Sequence, residues 1–283
     1  MQSEKIAIRD RLYSTDSSPL TLVELLQSRA SEGADRQAYI FLAADQTAEI
    51  SLTYGELDHQ ARAIAAFLQT LDAAGERVLL LYPPGLDYIA AFFGCLYAGA
   101  IAVPAYPPRV NANFQRLRSV MEDAQASIAL TSPQIQSRVE PLLAEKSFLN
   151  SLKWFTTESL SPDLASQWRR PPVGADTIAF LQYTSGSTTM PKGVVVTHQN
   201  LLHNQGLIRQ AFGQSAQSVI LSWLPFYHDM GLIGGVLQPL FLGANVFSCR
   251  RPPFSSGPCV GSKPFLPTAR RRAAGLTSLM TCV

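Results

Sequence analysis

A loop rich in hydroxyl side chains and glycine carries the clearest chemical signal in this chain. Residues 183–193 read Tyr-Thr-Ser-Gly-Ser-Thr-Thr-Met-Pro-Lys-Gly, so small polar residues precede a single lysine, Lys192. Apolar runs typical of strands lie on both sides, at 177–181 and 194–196. Backbone N–H groups, hydroxyls and an ammonium group at close spacing can hold a polyanion. The run is therefore a candidate site for the phosphates of a nucleotide.

Two other interpretations compete for this loop. In the P-loop a glycine precedes the lysine and a helix follows, whereas here Gly193 follows Lys192 and β-branched Val194–Val196 predict a strand. A plain hairpin turn would also explain the small residues, and composition alone favours it. The length of the hydroxyl run and the Pro-Lys-Gly ending favour phosphate binding instead.

The same run resembles the phosphate-binding signature of the adenylate-forming (AMP-dependent synthetase/ligase) family. That family includes acyl-CoA synthetases, non-ribosomal peptide adenylation domains and fatty acyl-AMP ligases. Thr189 stands where the signature usually has glycine, and threonine is strained there if the position needs a positive φ. The resemblance covers residues 15–248, and the segments 103–109 and 223–232 are most similar to fatty acyl-AMP ligases. It identifies the chain as an N-terminal fragment of such a ligase.

The resemblance implies a reaction and a set of site residues. The reaction is ATP-dependent activation of a fatty acid to acyl-AMP, with Mg²⁺ as cofactor and an acyl carrier protein or polyketide synthase as acceptor. Lys192 and His228 are the implied catalytic residues, and His228 would orient carboxylate or phosphate rather than act as a nucleophile. The implied phosphate-binding residues are Thr184, Ser185, Gly186, Ser187, Thr188 and Lys192. Positive charge and dense donors are needed because pyrophosphate must be stabilised as it leaves.

The remaining candidate residues favour structural roles. Trp223 and Tyr227 either shape an apolar acyl channel or pack in the core, and Asp229 is predicted to cap the next helix. His198 and His203 are predicted to be structural. No G-x-S-x-G run indicates a serine nucleophile. No H-E-x-x-H run or carboxylate–histidine cluster indicates a protein-bound metal.

Alternating apolar strands and helices predict a layered α/β fold, in which helices flank parallel-rich sheets. We expect this fold to be incomplete. Arg77–Tyr82 and Ala100–Pro104 are predicted buried strands around an apolar helix, which is a parallel βαβ unit. Thr53 and Glu56 predict a capping box. Further helices are predicted over 19–30, 53–71, 87–98, 113–125, 133–145, 198–212 and 230–242, and further strands over 38–42, 48–52, 127–131, 152–156, 177–181, 194–196, 219–223 and 244–247.

The chain changes character at Cys249, which divides it into an incomplete AMP-binding domain (1–248) and an irregular basic tail (249–283). The tail contains five Arg, one Lys, five Pro and no acidic residue. A disordered basic tail is one interpretation. A shifted reading frame near residues 246–249 is a sharper hypothesis, which translation of the encoding DNA in the other two frames would test.

Charge and composition argue against several classes of protein. The net charge is +2, but the part before the tail has 17 basic against 21 acidic residues, so nucleic-acid binding is not predicted. No apolar run approaches the roughly 18 residues of a membrane span, and residues 1–11 lack a signal-peptide core, so a cytoplasmic location is expected. Cys95 is the only cysteine before the tail and no C-x-x-C pair occurs, so neither zinc nor a disulfide framework is predicted.

The chain has no match for the adenine and ribose ligands, the later acidic Mg²⁺ ligand or the C-terminal domain of complete family members. We therefore expect little or no adenylation by this chain alone. Two alternatives stay open at this point: an acyl-CoA synthetase, and a truncated, non-catalytic remnant.

Overall fold

The computed structural model describes residues 19–42, 49–108, 114–184 and 191–249. In these ranges ten strands form two sheets, in the orders β2-β1-β10-β9 and β6-β5-β3-β4-β7-β8. The strands are β1 Gln37–Leu42, β2 Glu49–Thr53, β3 Arg77–Leu81, β4 Ile101–Pro104, β5 Ile128–Thr131, β6 Lys153–Thr156, β7 Ile178–Thr184, β8 Lys192–Thr197, β9 Val219–Ser222 and β10 Asn245–Cys249.

Helices pack against both sheets. The α-helices are α1 Leu22–Glu32, α2 Tyr54–Gln69, α3 Leu86–Ala98, α4 Gln115–Ala124, α5 Pro133–Leu143, α6 His198–Phe212 and α7 Gln238–Leu242. A π-helix spans Met230–Leu237, and two 3₁₀-helices span Ser147–Ser151 and Pro162–Gln167. The predicted α/β class, with parallel-rich sheets flanked by helices, is confirmed. None of the helices in the described part of the chain is long and apolar enough to cross a membrane.

The six-stranded sheet contains the predicted βαβ unit. β3 and β4 pair in parallel, with Val78 opposite Ala102, and α3 connects them. β3 is almost entirely buried because helices cover both faces, as its continuous apolar run predicts. Gly99 ends α3 with φ 72°, a left-handed conformation that is common for a glycine after the last helical turn. The parallel strands β4 and β7 lie side by side, so their carboxyl ends lie at the same edge of the sheet.

Capping boxes set the start of α2 and α6. Thr53 and Glu56 form the predicted capping box of α2. A second box, which the sequence analysis missed because it uses Asn200 in place of Glu or Gln, begins α6 after Thr197. His198 is buried beside it, and its Nδ1 accepts the Leu22 N–H at 3.2 Å. This contact agrees with the structural role predicted for His198.

A helix spans 230–242 as predicted, but it is not α-helical throughout. The structure has the π-helix over Met230–Leu237, followed by the short α7. Pro239 explains the change, because it has no N–H for an α-helical hydrogen bond and its ring would clash with the carbonyl four residues earlier. The connection over 161–173 contains a 3₁₀-helix, and the Trp168 Nε1–H donates to the Tyr97 carbonyl at 2.8 Å.

Candidate active site

The antiparallel pair β7–β8 flanks the candidate phosphate loop. Thr184 ends β7 and lies opposite Lys192, which begins β8, and both residues are exposed. Directly opposite residues of an antiparallel pair have Cβ atoms about 5 Å apart. The structure therefore brings a hydroxyl and an ammonium group together at the open end of the pair. The described residues do not include Thr189 or the other four predicted phosphate-binding residues, which are Ser185, Gly186, Ser187 and Thr188.

Consecutive side chains near the end of β7 contact different elements, because neighbours on a strand point to opposite faces. The Gln182 Nε2–H donates to the Tyr227 carbonyl at 3.3 Å. The Tyr183 hydroxyl donates to Asp123 Oδ2 at 2.5 Å, and Asp123 belongs to α4. Desolvation, together with the Asp123 carboxylate, raises the pKa of Tyr183 well above its usual value. The tyrosine therefore stays protonated and acts as a hydrogen-bond donor.

A tight turn positions His228 between β9 and the π-helix. The His228 N–H donates to the Pro225 carbonyl at 3.1 Å, and the His228 carbonyl accepts the Leu232 N–H at 2.9 Å. Gly231 packs so closely on this turn that a Cβ there would lie 2.1 Å from the Pro225 oxygen. Asp229 is the N-cap of the π-helix, as predicted, and its Oδ1 accepts the Met230 N–H at 2.7 Å. His228 itself is exposed, as a substrate-binding side chain must be.

A cavity of about 300 Å³ lies beside this turn, at the edge where β4 and β7 end. Open α/β sheets bind ligands at the carboxyl ends of their strands. Tyr227 contributes to the wall, with its ring centroid 4.9 Å from that of Tyr106 and 4.8 Å from that of His228. The wall is formed by Pro104, Ala105, Tyr106, Pro107, Pro108, Phe114, Arg116, Leu117, Val120, Tyr183, Tyr227 and His228.

This lining is mostly aliphatic and aromatic, so the cavity suits an apolar chain, with polar groups placed to orient one end. Arg116 and His228 supply nitrogen-bearing groups to this lining, and its three tyrosines add hydroxyl groups. Of the two aromatic residues with open roles, Tyr227 lines the cavity, whereas Trp223 is half-buried and does not line it.

The described residues fit a nucleotide better than a protein-held metal ion. Among them, no three His, Cys, Asp or Glu side chains lie close enough to hold a metal. Mg²⁺ usually keeps several waters and binds through phosphates with only one or two carboxylates. Thr184 and Lys192 suit the phosphates of such a complex, and the described part of the chain offers no set of carboxylates around them.

Residues 26–260 match the AMP-binding enzyme family. The chain belongs to that family. A medium-chain-fatty-acid–[acyl-carrier-protein] ligase, JamA of Moorena producens, is 44% identical over 227 residues, which are 79% of this chain and 38% of JamA. The long-chain-fatty-acid–AMP ligase FadD32 of Mycolicibacterium smegmatis is 37% identical over 224 residues, which are 78% of this chain and 36% of FadD32. This AMP-binding chain thus spans under two fifths of the length of these curated relatives.

The fold of this AMP-binding chain also matches solved structures. A fatty acyl-adenylate ligase from L. pneumophila, in complex with acyl adenylate and pyrophosphate, superposes with a TM-score of 0.77 at 39% identity, covering 84% of this chain and 40% of that one. The McyG A-PCP structure with phenylalanyl-adenylate has a TM-score of 0.73 at 23% identity, covering 83% of this chain and 43% of that one. The McyG match shows a shared fold alone.

Sequence reasoning missed three residues that shape the site. Asp123 follows Glu122 on an exposed part of α4, so both acids look like ordinary solvated helix surface in the sequence. Gln182 lies inside an apolar strand, and its polarity was a usable signal because buried amides need partners. Arg116 lies near the start of α4, and its position on a helix gave no indication of a cavity.

Proposed function

We propose that this chain carries the phosphate-binding loop and the acyl-binding cavity of an ATP-dependent fatty acyl-AMP ligase. One observation carries the proposal: Tyr183 and His228 line an apolar cavity at the carboxyl edge of the sheet, and Thr184, the residue after Tyr183, lies opposite Lys192. An adenylating enzyme needs an apolar chain and a triphosphate to meet at one point. The family match and the relatives' fatty-acid substrates support this assignment.

In the proposed reaction, a carboxylate oxygen of the fatty acid attacks the α-phosphorus of ATP, and the bond to the bridging oxygen of pyrophosphate breaks. The products are acyl-AMP and pyrophosphate. Lys192 offsets the negative charge that accumulates on the leaving pyrophosphate, because fixed charges aimed at that position stabilise the transition state. Mg²⁺, bound through the phosphates, would supply further charge neutralisation. The apolar walls would bind the acyl chain, at about 0.8 kcal/mol per buried CH₂.

Each predicted site residue has a role in this proposal. Thr184, Ser185, Gly186, Ser187 and Thr188 supply hydroxyl and backbone donors to the β- and γ-phosphates, together with Lys192. His228 orients the fatty-acid carboxylate or the α-phosphate, since it is exposed at the cavity wall beside Tyr227. Charge-assisted hydrogen bonds contribute about 1.5–3 kcal/mol each, so losing one should be measurable in binding.

The acceptor of the acyl group is a further part of the proposal. JamA is named as an acyl-carrier-protein ligase, and by similarity we propose an acyl carrier protein or a polyketide synthase as the acceptor here. A reaction that consumes ATP also fits a cytoplasmic location.

A second candidate acceptor is coenzyme A. A putative fatty-acid–CoA ligase, fadD21 of Mycobacterium tuberculosis, is 36% identical over 239 residues, which favours that alternative. Supplying carrier protein or coenzyme A to the complete enzyme and following loss of acyl-AMP would separate the two acceptors.

The proposal is tested by titrating the purified chain with ATP and with a non-hydrolysable long-chain acyl-adenylate analogue in a calorimeter. We expect saturable binding of the analogue. Folded protein that binds neither ligand would contradict the proposal.

A further inference from the structure

A tyrosine at the end of β7 is held from two sides. The Tyr183 hydroxyl donates to Asp123 Oδ2 at 2.5 Å, which ties β7 to α4. Tyr183 is only 6% exposed, and its ring packs with the apolar residues of the sheet, including Leu79 and Val103. The same side chain forms part of the cavity wall. Its position therefore affects the strand end and the cavity together.

Gly193 leaves space for that ring on the neighbouring strand. Gly193 lies opposite Tyr183 in the β7–β8 register, one residue after Lys192. A Cβ at Gly193 would lie 3.0 Å from Tyr183 Cζ and 3.1 Å from its hydroxyl oxygen. Any larger residue would push the ring, and the ring can move only if its hydrogen bond to α4 changes. The carboxylate and the glycine thus fix one position of the ring.

We propose that Asp123 is a positioning residue that acts through Tyr183. By holding Tyr183 against Gly193, it keeps Thr184 opposite Lys192 and sets the shape of the cavity wall. Asp123 lies on α4, is exposed on its other side and belongs to no predicted motif. The part of this proposal that concerns phosphate binding rests on the proposed function, whereas the part that concerns the order of β7 and β8 does not.

The test measures amide hydrogen exchange in the 283-residue chain by mass spectrometry. We expect Asp123→Ala and Tyr183→Phe to speed exchange of peptides from β7 and β8 by about fivefold, because each removes the same hydrogen bond and local opening follows its loss. Gly193→Ala should speed the same peptides by displacing the ring. The double variant Asp123→Ala/Tyr183→Phe should match the single variants, because two residues that act as one unit are not additive.

Matched controls separate positioning from general stability. Glu122→Ala removes the neighbouring exposed acid on α4, and Tyr82→Phe removes another tyrosine hydroxyl contact, to Thr157 at 3.0 Å. Gly174→Ala adds a methyl group where nothing lies within 4 Å. These three should leave exchange of β7 and β8 within about twofold of wild type. Glu122 and Gly174 lie on the surface, where substitutions have small effects, and the hydrogen bond of the buried Tyr82 goes to Thr157, outside both strands. Unchanged exchange in the test variants, or a uniform rise over all peptides, would overturn the proposal.

Conservative replacement and ligand binding give a second readout. Asp123→Asn keeps an acceptor oxygen for the tyrosine hydroxyl, so we expect exchange near that of wild type, even if Asp123→Ala proves poorly folded. ATP affinity should fall about fivefold in Asp123→Ala and recover in Asp123→Asn, because the amide restores the lost hydrogen bond. If wild type binds no ATP, the proposed function fails, while the exchange result still decides whether Asp123 positions the strands. An equal loss of ATP affinity in Asp123→Asn and Asp123→Ala would contradict the role of Asp123 as a hydrogen-bond acceptor.

Discussion

Two strongly apolar helical segments, α3 and the π-helix with α7, satisfy their backbone groups differently. α3 is regular, is buried from Tyr88 to Ala98 and ends at Gly99, whose N–H returns to the Cys95 and Leu96 carbonyls. The π-helix receives hydrogen bonds from other elements: Gln205 donates to the Ile233 carbonyl at 3.2 Å, and Tyr39 to the Val236 carbonyl at 2.8 Å.

The two helical segments differ because they lie in different parts of the molecule. α3 fills the core between the sheets, where a regular helix already satisfies its own backbone. The π-helix begins at the turn that carries His228, and π-helical turns are frequent at functional sites. α7 continues the pattern, because Arg29 of α1 donates to the Leu240 and Phe241 carbonyls at 3.1 and 2.7 Å. An irregular helix here is held by side chains of three other elements.

The largest effect should come from the glycine that packs on the His228 turn. A Cβ at Gly231 would meet the backbone oxygen of Pro225 at 2.1 Å, whereas Gly234 has nothing within 4 Å. Gly231→Ala should therefore lower the free energy of unfolding by about 3 kcal/mol, as overpacking against rigid backbone does. Gly234→Ala, the matched control, should be neutral or slightly stabilising. Urea denaturation measures both, and equal effects would contradict the close packing of this turn.

The stability of the fold should depend on pH through His198, the first residue of α6. Burial lowers the pKa of His198 to about 4, below its usual 6.5, so the unfolded chain binds more protons between these values. Stability from the neutral histidine is fully present above about pH 6.5 and is lost as pH falls toward 4, a change of up to about 3 kcal/mol. Urea midpoints at pH 7 and 5 measure this loss. His198→Gln should reduce the pH dependence, and an unchanged slope would contradict the assignment.

The exposed end of β8 should affect binding without affecting stability. Lys192 is exposed, so Lys192→Ala should leave the urea midpoint unchanged. ATP binding should weaken by about 1.5–3 kcal/mol, since a charge-assisted contact is lost. Calorimetry with ATP tests this expectation, and Lys153→Ala at the exposed start of β6 is the matched control. An equal loss of ATP affinity in both variants would show a non-specific effect of charge.

The smallest effect should come from the hydrogen bond that joins α3 to the site. The Tyr88 hydroxyl donates to the Phe226 carbonyl at 2.8 Å, next to the His228 turn. Tyr88→Phe should cost about 1 kcal/mol and speed exchange in the peptide around Phe226. Tyr39→Phe removes the similar contact to Val236 and should instead affect the π-helix. Identical exchange patterns in the two variants would show that α3 and the π-helix segment are not held independently.

The sequence predicts the framework well because its signals are local. Continuous apolar runs indicate β3 and β4, and Thr53 with Glu56 marks the start of α2. The π-helix was missed because its geometry depends on Pro239 and on side chains distant in sequence, such as Tyr39 and Gln205. Within the candidate site, the run of hydroxyl residues and glycine at 183–193 indicates Thr184 and Lys192. The register of β7 and β8 places these two residues opposite each other. Asp123 carries no sequence signal, since only the fold brings its carboxylate to Tyr183.

The central claim is that the cavity and the end of the β7–β8 pair form one binding site. It is tested most directly by calorimetry of the folded chain with non-hydrolysable acyl-adenylate analogues of increasing chain length. The account predicts that affinity rises with length, by up to about 0.8 kcal/mol per CH₂ until the cavity is filled. It also predicts that Lys192→Ala weakens binding of ATP but not of the analogues, which carry no β- or γ-phosphate. Affinity that is independent of chain length, or no binding by folded protein, would contradict it.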